Sequence, residues 1–167
     1  YARIAEALET LYGDDAKEHA QELVSHFTEA EAVLGTDKLV EYSIAAGKQA
    51  LDAYGYEDAL NIFERALEAH SPDVTDAEKA DLLIGMAISS KILGNPMEVL
   101  WATMEEAFEY YVSAGDTANA LYVVNNVPPP AYRLLGHSRM TRRFLEIVLT
   151  GTVDEARVQL RHGSILS

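Results

Sequence analysis

D-K-L-V-E-Y-S-I-A-A-G-K-Q-A-L-D-A-Y-G-Y-E-D-A-L-N-I-F-E-R-A-L-E-A, residues 37–69, decides the fold. Its first half carries Leu39, Tyr42, Ala46, Ala50, Ala53 and Tyr54 at steps of three and four. Its second half carries Ala59, Leu60, Phe63, Ala66 and Leu67, with Glu57, Asp58, Asn61, Glu64 and Glu68 on the opposite side. This is the period of a helix with one apolar face, written twice and broken at Gly55. Neither helix can withdraw its stripe from water alone, so each needs a neighbour.

The same grammar runs outward in both directions. Gly13, Gly35, Gly55, Gly94, Gly115 and Gly151 each follow a helix-like run, where a residue of positive φ can close the last turn. Thr75 with Glu78 and Thr152 with Glu155 have capping-box spacing, and Asn95-Pro96 followed by Glu98 reads as a helix start. These marks predict about nine helices, over 2–12, 16–31, 37–54, 57–69, 76–93, 97–114, 117–126, 138–149 and 153–161. No segment alternates with period two over a strand length, so the expected class is all-α. Leu100, Thr103, Met104, Ala107, Phe108 and Tyr111 form the stripe of the sixth helix.

The helices also come in similar pairs. Setting Ala66-Leu67-Glu68 on Ala107-Phe108-Glu109 places Phe63 on Met104 and Leu60 on Trp101, a shift of 41 residues, while Gly47 and Gly85 differ by 38. Self-similarity at this period marks stacked helical hairpins. Pro128-Pro129-Pro130 ends the seventh helix, because proline has no amide to donate and pushes its predecessor out of helical geometry. The expected organisation is hairpins over 1–127, a proline-containing link over 128–136, and a terminal helical pair or cap of the same solenoid over 137–167.

Gly47, Ala59, Phe63 and Ala66 occupy the small, small, aromatic and small positions of the tetratricopeptide pattern, and the segment 39–72 resembles one such repeat. The resemblance implies a right-handed solenoid in which Gly47 and Ala59 let two antiparallel backbones approach while Phe63 fills the groove towards the next hairpin. The runs I-A-E-A-L-E-T-L-Y-G-D-D-A, H-A-Q-E-L-V-S-H-F and L-V-E-Y-S-I-A-A-G-K-Q-A-L resemble the repeat region of STAND-class signalling ATPases, including LuxR-type regulators and ATPase-linked cyclases. There the region follows a nucleotide-binding module and a winged helix, and it receives signals or binds partners. With Tyr1 opening directly into helical sequence, the chain is expected to be a piece of a longer multidomain regulator.

Composition narrows the function. Thirteen basic against 27 acidic side chains give −14, which repels nucleic acid and anionic lipid. Residues 131–167 carry a net of +3 and the first 130 therefore −17. No apolar run approaches the roughly 20 residues of a membrane span. There is no cysteine, so neither a disulfide nor a thiolate site, and a cytoplasmic address is expected. The loops G-x-x-x-x-G-K-[ST] and G-x-G-x-x-G and the elbow G-x-S-x-G do not occur. His19 and His26 lie seven apart, about 10.5 Å along a helix, too far to share one metal ion without a third ligand between, for which Glu22 is the one candidate. Adjacent carboxylates such as Asp14-Asp15 and Glu105-Glu106 fall at helix starts or on polar faces, where they remain ordinary anions. No catalytic, cofactor or metal residue is expected, and the chain is read as a non-enzyme.

What remains is recognition. Trp101 and Tyr110 stand off the main stripe of their helix and are candidates to line a groove, since such aromatics bury large area at low entropic cost. Arg139, Arg142 and Arg143 form a basic cluster suited to an acidic partner or a neighbouring domain of the same chain. Most of the other tyrosines, Tyr42 and Tyr54 first, are expected in the core. The function expected is protein or peptide binding by a signal-sensing scaffold. A small-molecule sensor with a pocket between hairpins and a structural oligomerisation module stay open beside it.

Overall fold

The computed structural model describes residues 1–126 except 72 and 74, the backbone alone at 97–99, and residues 140, 142, 143, 146 and 147. The described residues hold seven α-helices and one 3-10 helix and no strand: α1 (Ala2–Tyr12), the 3-10 helix Gly13–His19, α2 (Ala20–Leu34), α3 (Asp37–Asp52), α4 (Tyr56–Ala69), α5 (Ala77–Leu93), α6 (Met97–Ser113) and α7 (Thr117–Asn126). The expected count of about nine is therefore not what these residues give. The eighth expected helix is represented by five described residues, all helical, and the ninth, like the link 128–136, lies outside the described residues. The fold is all-helical, as expected.

The chain forms two compact units, Tyr1–Gly94 and Asn95–Ser167. In the first, each helix lies against its successor from α1 to α5, and α3 also meets α5. Two buried clusters stand out among its described residues. One joins Ala5, Ala20, Leu23, Phe27, Tyr42 and Ala46, with the Phe27 and Tyr42 rings stacked at 5.5 Å. The other joins Val40, Ala50, Ala59, Phe63, Ala66 and Leu82. Ile62 packs against both. In the second unit α6 and α7 pack together, and the α6 stripe of Leu100, Thr103, Met104, Ala107, Phe108 and Tyr111 is buried throughout.

Three local expectations are corrected. The helix expected from residue 16 begins at Ala20, because the backbone first winds as the 3-10 helix. Gln49 of α3 holds that turn, its side-chain amide donating to the Lys17 carbonyl at 2.7 Å. A carbonyl at a helix end thus finds its partner on another helix. His19 and His26 accordingly do not share one α-helix, and the His19 ring stacks on Tyr12 at 3.9 Å.

Secondly, Gly13, Gly35, Gly94 and Gly115 take positive φ, but Gly55 does not. Tyr54 does so in its place, at φ 62°. Its amide donates to the Leu51 carbonyl and that of Gly55 to the Ala50 carbonyl, at 3.0 and 2.8 Å. This is a Schellman closure with tyrosine where glycine usually sits. The α3 stripe therefore ends at Ala50 and Leu51, Ala53 is exposed, and Tyr54 is 78% exposed instead of buried. Thirdly, Asp76 and not Thr75 caps α5, accepting from the Lys79 amide at 2.9 Å, and Pro96 and not Asn95 takes the cap position of α6.

Candidate partner-binding groove

Phe63 organises the first unit. It is fully buried on α4, between Gly47 of α3 and Gly85 of α5. A β-carbon built on either glycine would fall inside the van der Waals radius of the Phe63 ring. Two glycines thus make room for one aromatic edge, and α3 and α5 share α4 as a common wall. The expected packing residues Gly47, Ala59, Phe63 and Ala66 are all buried. Lys48 of α3 and Asp81 of α5 pair at 2.8 Å outside the same seam.

On the other side of α4 a hollow of about 280 Å³ opens between α2, α3 and α4. Val24, Leu39, Ile62 and Ala69 supply its apolar floor. Glu31, Arg65 and Glu68 stand exposed on its rim. Ser43, buried, and Asn61 add hydroxyl and amide groups that can bond a backbone. The Thr28 hydroxyl is turned inward, donating to the Val24 carbonyl at 2.8 Å. The groove follows from the sequence pattern: Ile62 and Arg65 are three apart on α4 and so project side by side.

Of the helices that line it, α3 is tied to α1 by a charged network. The Tyr42 hydroxyl on α3 donates to Glu9 of α1 at 2.7 Å, and the Lys38 ammonium pairs with Glu9 at 2.8 Å and with Glu41 at 3.0 Å. Hydrogen bonds to Glu9 and then Glu41 hold Lys38 above its ordinary range. Burial, reinforced by the bond to Glu9, pushes Tyr42 up to about 12. Burial alone would raise Glu9, but the Lys38 and Tyr42 hydrogen bonds bring it below the usual carboxylate value.

The residues expected to bind a partner lie in the second unit. Trp101 and Tyr110 are half-buried on α6, where the Tyr110 ring meets Tyr111 edge-on at 5.6 Å. Arg142 and Arg143 are exposed, and the Arg143 guanidinium donates to the Glu109 carboxylate of α6. That cation serves an acidic neighbour in its own unit. Arg139 is outside the described residues.

Sequence reasoning passed over the groove residues because each reads as ordinary amphipathic pattern. Arg65 is the one cation of 49–78, and its place beside Ile62 was the available signal. A second hollow, of about 320 Å³, lies at the turn between α3 and α4, where Tyr54 and Tyr56 meet edge-on at 6.3 Å beside Leu93.

No family model matches the chain, and neither a curated protein nor a solved structure does. No helix among the described residues is long and apolar enough to cross a membrane.

Proposed function

We propose that the chain is a non-catalytic scaffold of tetratricopeptide-like helical hairpins, stacked as a right-handed solenoid, that binds a protein or peptide segment in the groove between α2, α3 and α4. The observation that carries this reading is Phe63 seated between Gly47 and Gly85. One aromatic bridges the small residue of its own helix pair and that of the next, which is what stacking of successive pairs requires. Rigid helices so fixed present groove side chains with little ordering entropy to lose on binding. The hollow, about 280 Å³, falls just below the roughly 300–1,000 Å³ of ligand pockets. That size suits one or two side chains of a segment laid across the helices and favours a peptide over a metabolite.

The surrounding charge selects the partner. Glu31 and Glu68 outnumber Arg65 on the rim, and with a body of −17 over the first 130 residues they suit a segment pairing an apolar side chain with a basic one. Nucleic acid and anionic lipid are disfavoured by the same field. The resemblance to the repeat region of STAND-class signalling ATPases supports a place in a larger cytoplasmic regulator, where occupancy of the groove would bias the attached switch. A phosphate-binding loop and winged helix encoded in the same gene would establish that setting.

The test is selection of displayed random peptides on the whole chain, followed by affinity measurement. Selected peptides are expected to share an apolar and a basic residue and to weaken at least tenfold on Ile62→Glu. Their binding should tighten as salt is lowered. Selected peptides indifferent to Ile62→Glu but lost on Trp101→Ala would move the site to α6 and end this assignment.

A further inference from the structure

His70 closes α4, Asp76 caps α5, and Glu78 sits in the first turn of α5. The His70 side chain is only 8% exposed. Its Nδ1 lies 2.9 Å from the Ser71 carbonyl oxygen, and its Nε2 lies 3.1 Å from both carboxylate oxygens of Asp76. A carbonyl oxygen only accepts, so Nδ1 carries the hydrogen in the neutral ring. Nε2 then aims a lone pair at a carboxylate, which is also an acceptor. Two acceptors facing each other at that distance require something positive between them. The Glu78 carboxylate stands in the same group, with one ligating atom from each of the three side chains within 4.8 Å of the others.

From this geometry we infer that His70, Asp76 and Glu78 form a binding site for a divalent transition-metal ion of the zinc type, independent of the groove. Nε2 of His70, Oδ2 of Asp76 and one oxygen of Glu78 are the ligands, and solvent completes the shell. Nδ1–H on a backbone carbonyl is how metal-bound imidazoles are held in one tautomer and orientation. Tetrahedral zinc with bonds of about 2 Å sets its ligand atoms about 3.3 Å apart. His70 and Asp76 meet that spacing where they stand. Glu78, which is exposed, closes the remaining distance by a side-chain rotation. Oδ1 of Asp76 stays on the Lys79 amide, so capping and ligation use different oxygens. The amino end of α5 carries about half a positive charge, which opposes a cation. Two carboxylates outweigh it. Nitrogen among the donors favours zinc-like ions over magnesium and calcium, which prefer oxygen alone.

The experiment is calorimetric titration of the chelator-stripped chain with zinc chloride near neutral pH, with thermal unfolding in parallel. One ion per chain is expected, with a rise in the unfolding midpoint. Magnesium should produce neither effect. Glu78→Gln leaves ring, cap and core in place and should weaken binding roughly tenfold. Asp76→Asn keeps an oxygen for the cap and should weaken it at least as much. His70→Gln should abolish it, and if that variant fails to fold the two carboxylate variants decide. The chain has five histidines, so zinc uptake that persists unchanged through Glu78→Gln and Asp76→Asn belongs elsewhere and overturns the site. Absence of uptake, with a proton on Nε2 detected by nuclear magnetic resonance, overturns it too, because a proton then fills the gap.

Discussion

Tyr54 holds a backbone conformation that costs an L-residue roughly 1–2 kcal/mol, yet its side chain is 78% exposed and the Schellman bonds around it are backbone bonds. Tyr54→Gly should therefore stabilise the chain by about 1 kcal/mol, less the entropy glycine returns to the unfolded state. Urea unfolding followed by circular dichroism reads the change. Gly47 and Gly85 behave oppositely. Alanine gains up to about 1 kcal/mol of helix propensity over glycine, but here its methyl would enter the Phe63 ring, and overpacking costs about 1–3 kcal/mol. Gly85→Ala is expected to destabilise by about 1–2 kcal/mol. Phe63→Ala should cost about 3–5 kcal/mol, and in that background Gly85→Ala should become stabilising, since the cavity admits the methyl. Additive effects in this double-mutant cycle would contradict the seating of the ring. Gly47 and Phe63 were each legible as packing residues through their places in the tetratricopeptide pattern, though that pattern set Gly47 against Ala59 and not against the Phe63 ring. That Tyr54 and not Gly55 closes α3 was not legible, since a closure is set by which amide reaches which carbonyl, and neighbouring residues offer identical backbones.

At the scale of helices, the ends and faces of α3, α4, α5, α6 and α7 could be read to within two residues, because apolar spacing and turn residues are local signals. The 3-10 helix Gly13–His19 could not be read. Its tighter winding is held by Gln49 from α3, 32 residues downstream, and no window of sequence contains that bond. His70 and Asp76 escaped for a different reason: they stand only six residues apart, but the stretch between α4 and α5 has no apolar period to say which of its side chains meet. The join between α1 and α3 carries a pH signature. Tyr42 titrates in the folded chain at about 12 against an ordinary value of 10. Its contribution is complete below pH 10, falls as the unfolded chain alone ionises, and is gone above about 12. Glu9 is lowered when folded, so its contribution is complete above the usual carboxylate value of 4.5 and fades as pH falls through the folded one. Tyr42→Phe should cost about 1 kcal/mol near neutrality by removing the bond to Glu9. It should also flatten the decline between pH 10 and 12 and shrink the acid limb without abolishing it, since Lys38 still holds Glu9. Tyr12, raised by its bond to Glu22, leaves a residual slope. Unfolding free energies across that range, for both proteins, make the check.

For the whole molecule, the break at Gly94-Asn95-Pro96 was visible as a helix end, yet nothing distinguished it from the other ends as a boundary between units. Glycine and proline punctuate every turn alike, whereas a boundary depends on how many contacts cross it. Both buried clusters that join α1 to α5 lie before that break, so residues 1–94 contain their own core. A chain ending at Gly94 is expected to remain helical and to unfold in one cooperative transition. It carries seven basic and nineteen acidic side chains, a net of −12, and self-repulsion of that size opposes the compact state. Raising ionic strength from about 0.01 to 0.15 M shortens the screening length from about 30 to 8 Å. The unfolding midpoint of the shortened chain should therefore rise over this interval, at a given pH near neutrality. A broad, salt-insensitive transition would mean that residues 1–94 are held by something outside themselves. The groove proposed to bind a peptide, lined wholly by α2, α3 and α4, should survive the truncation, and peptides selected on the whole chain should bind the shortened one equally well.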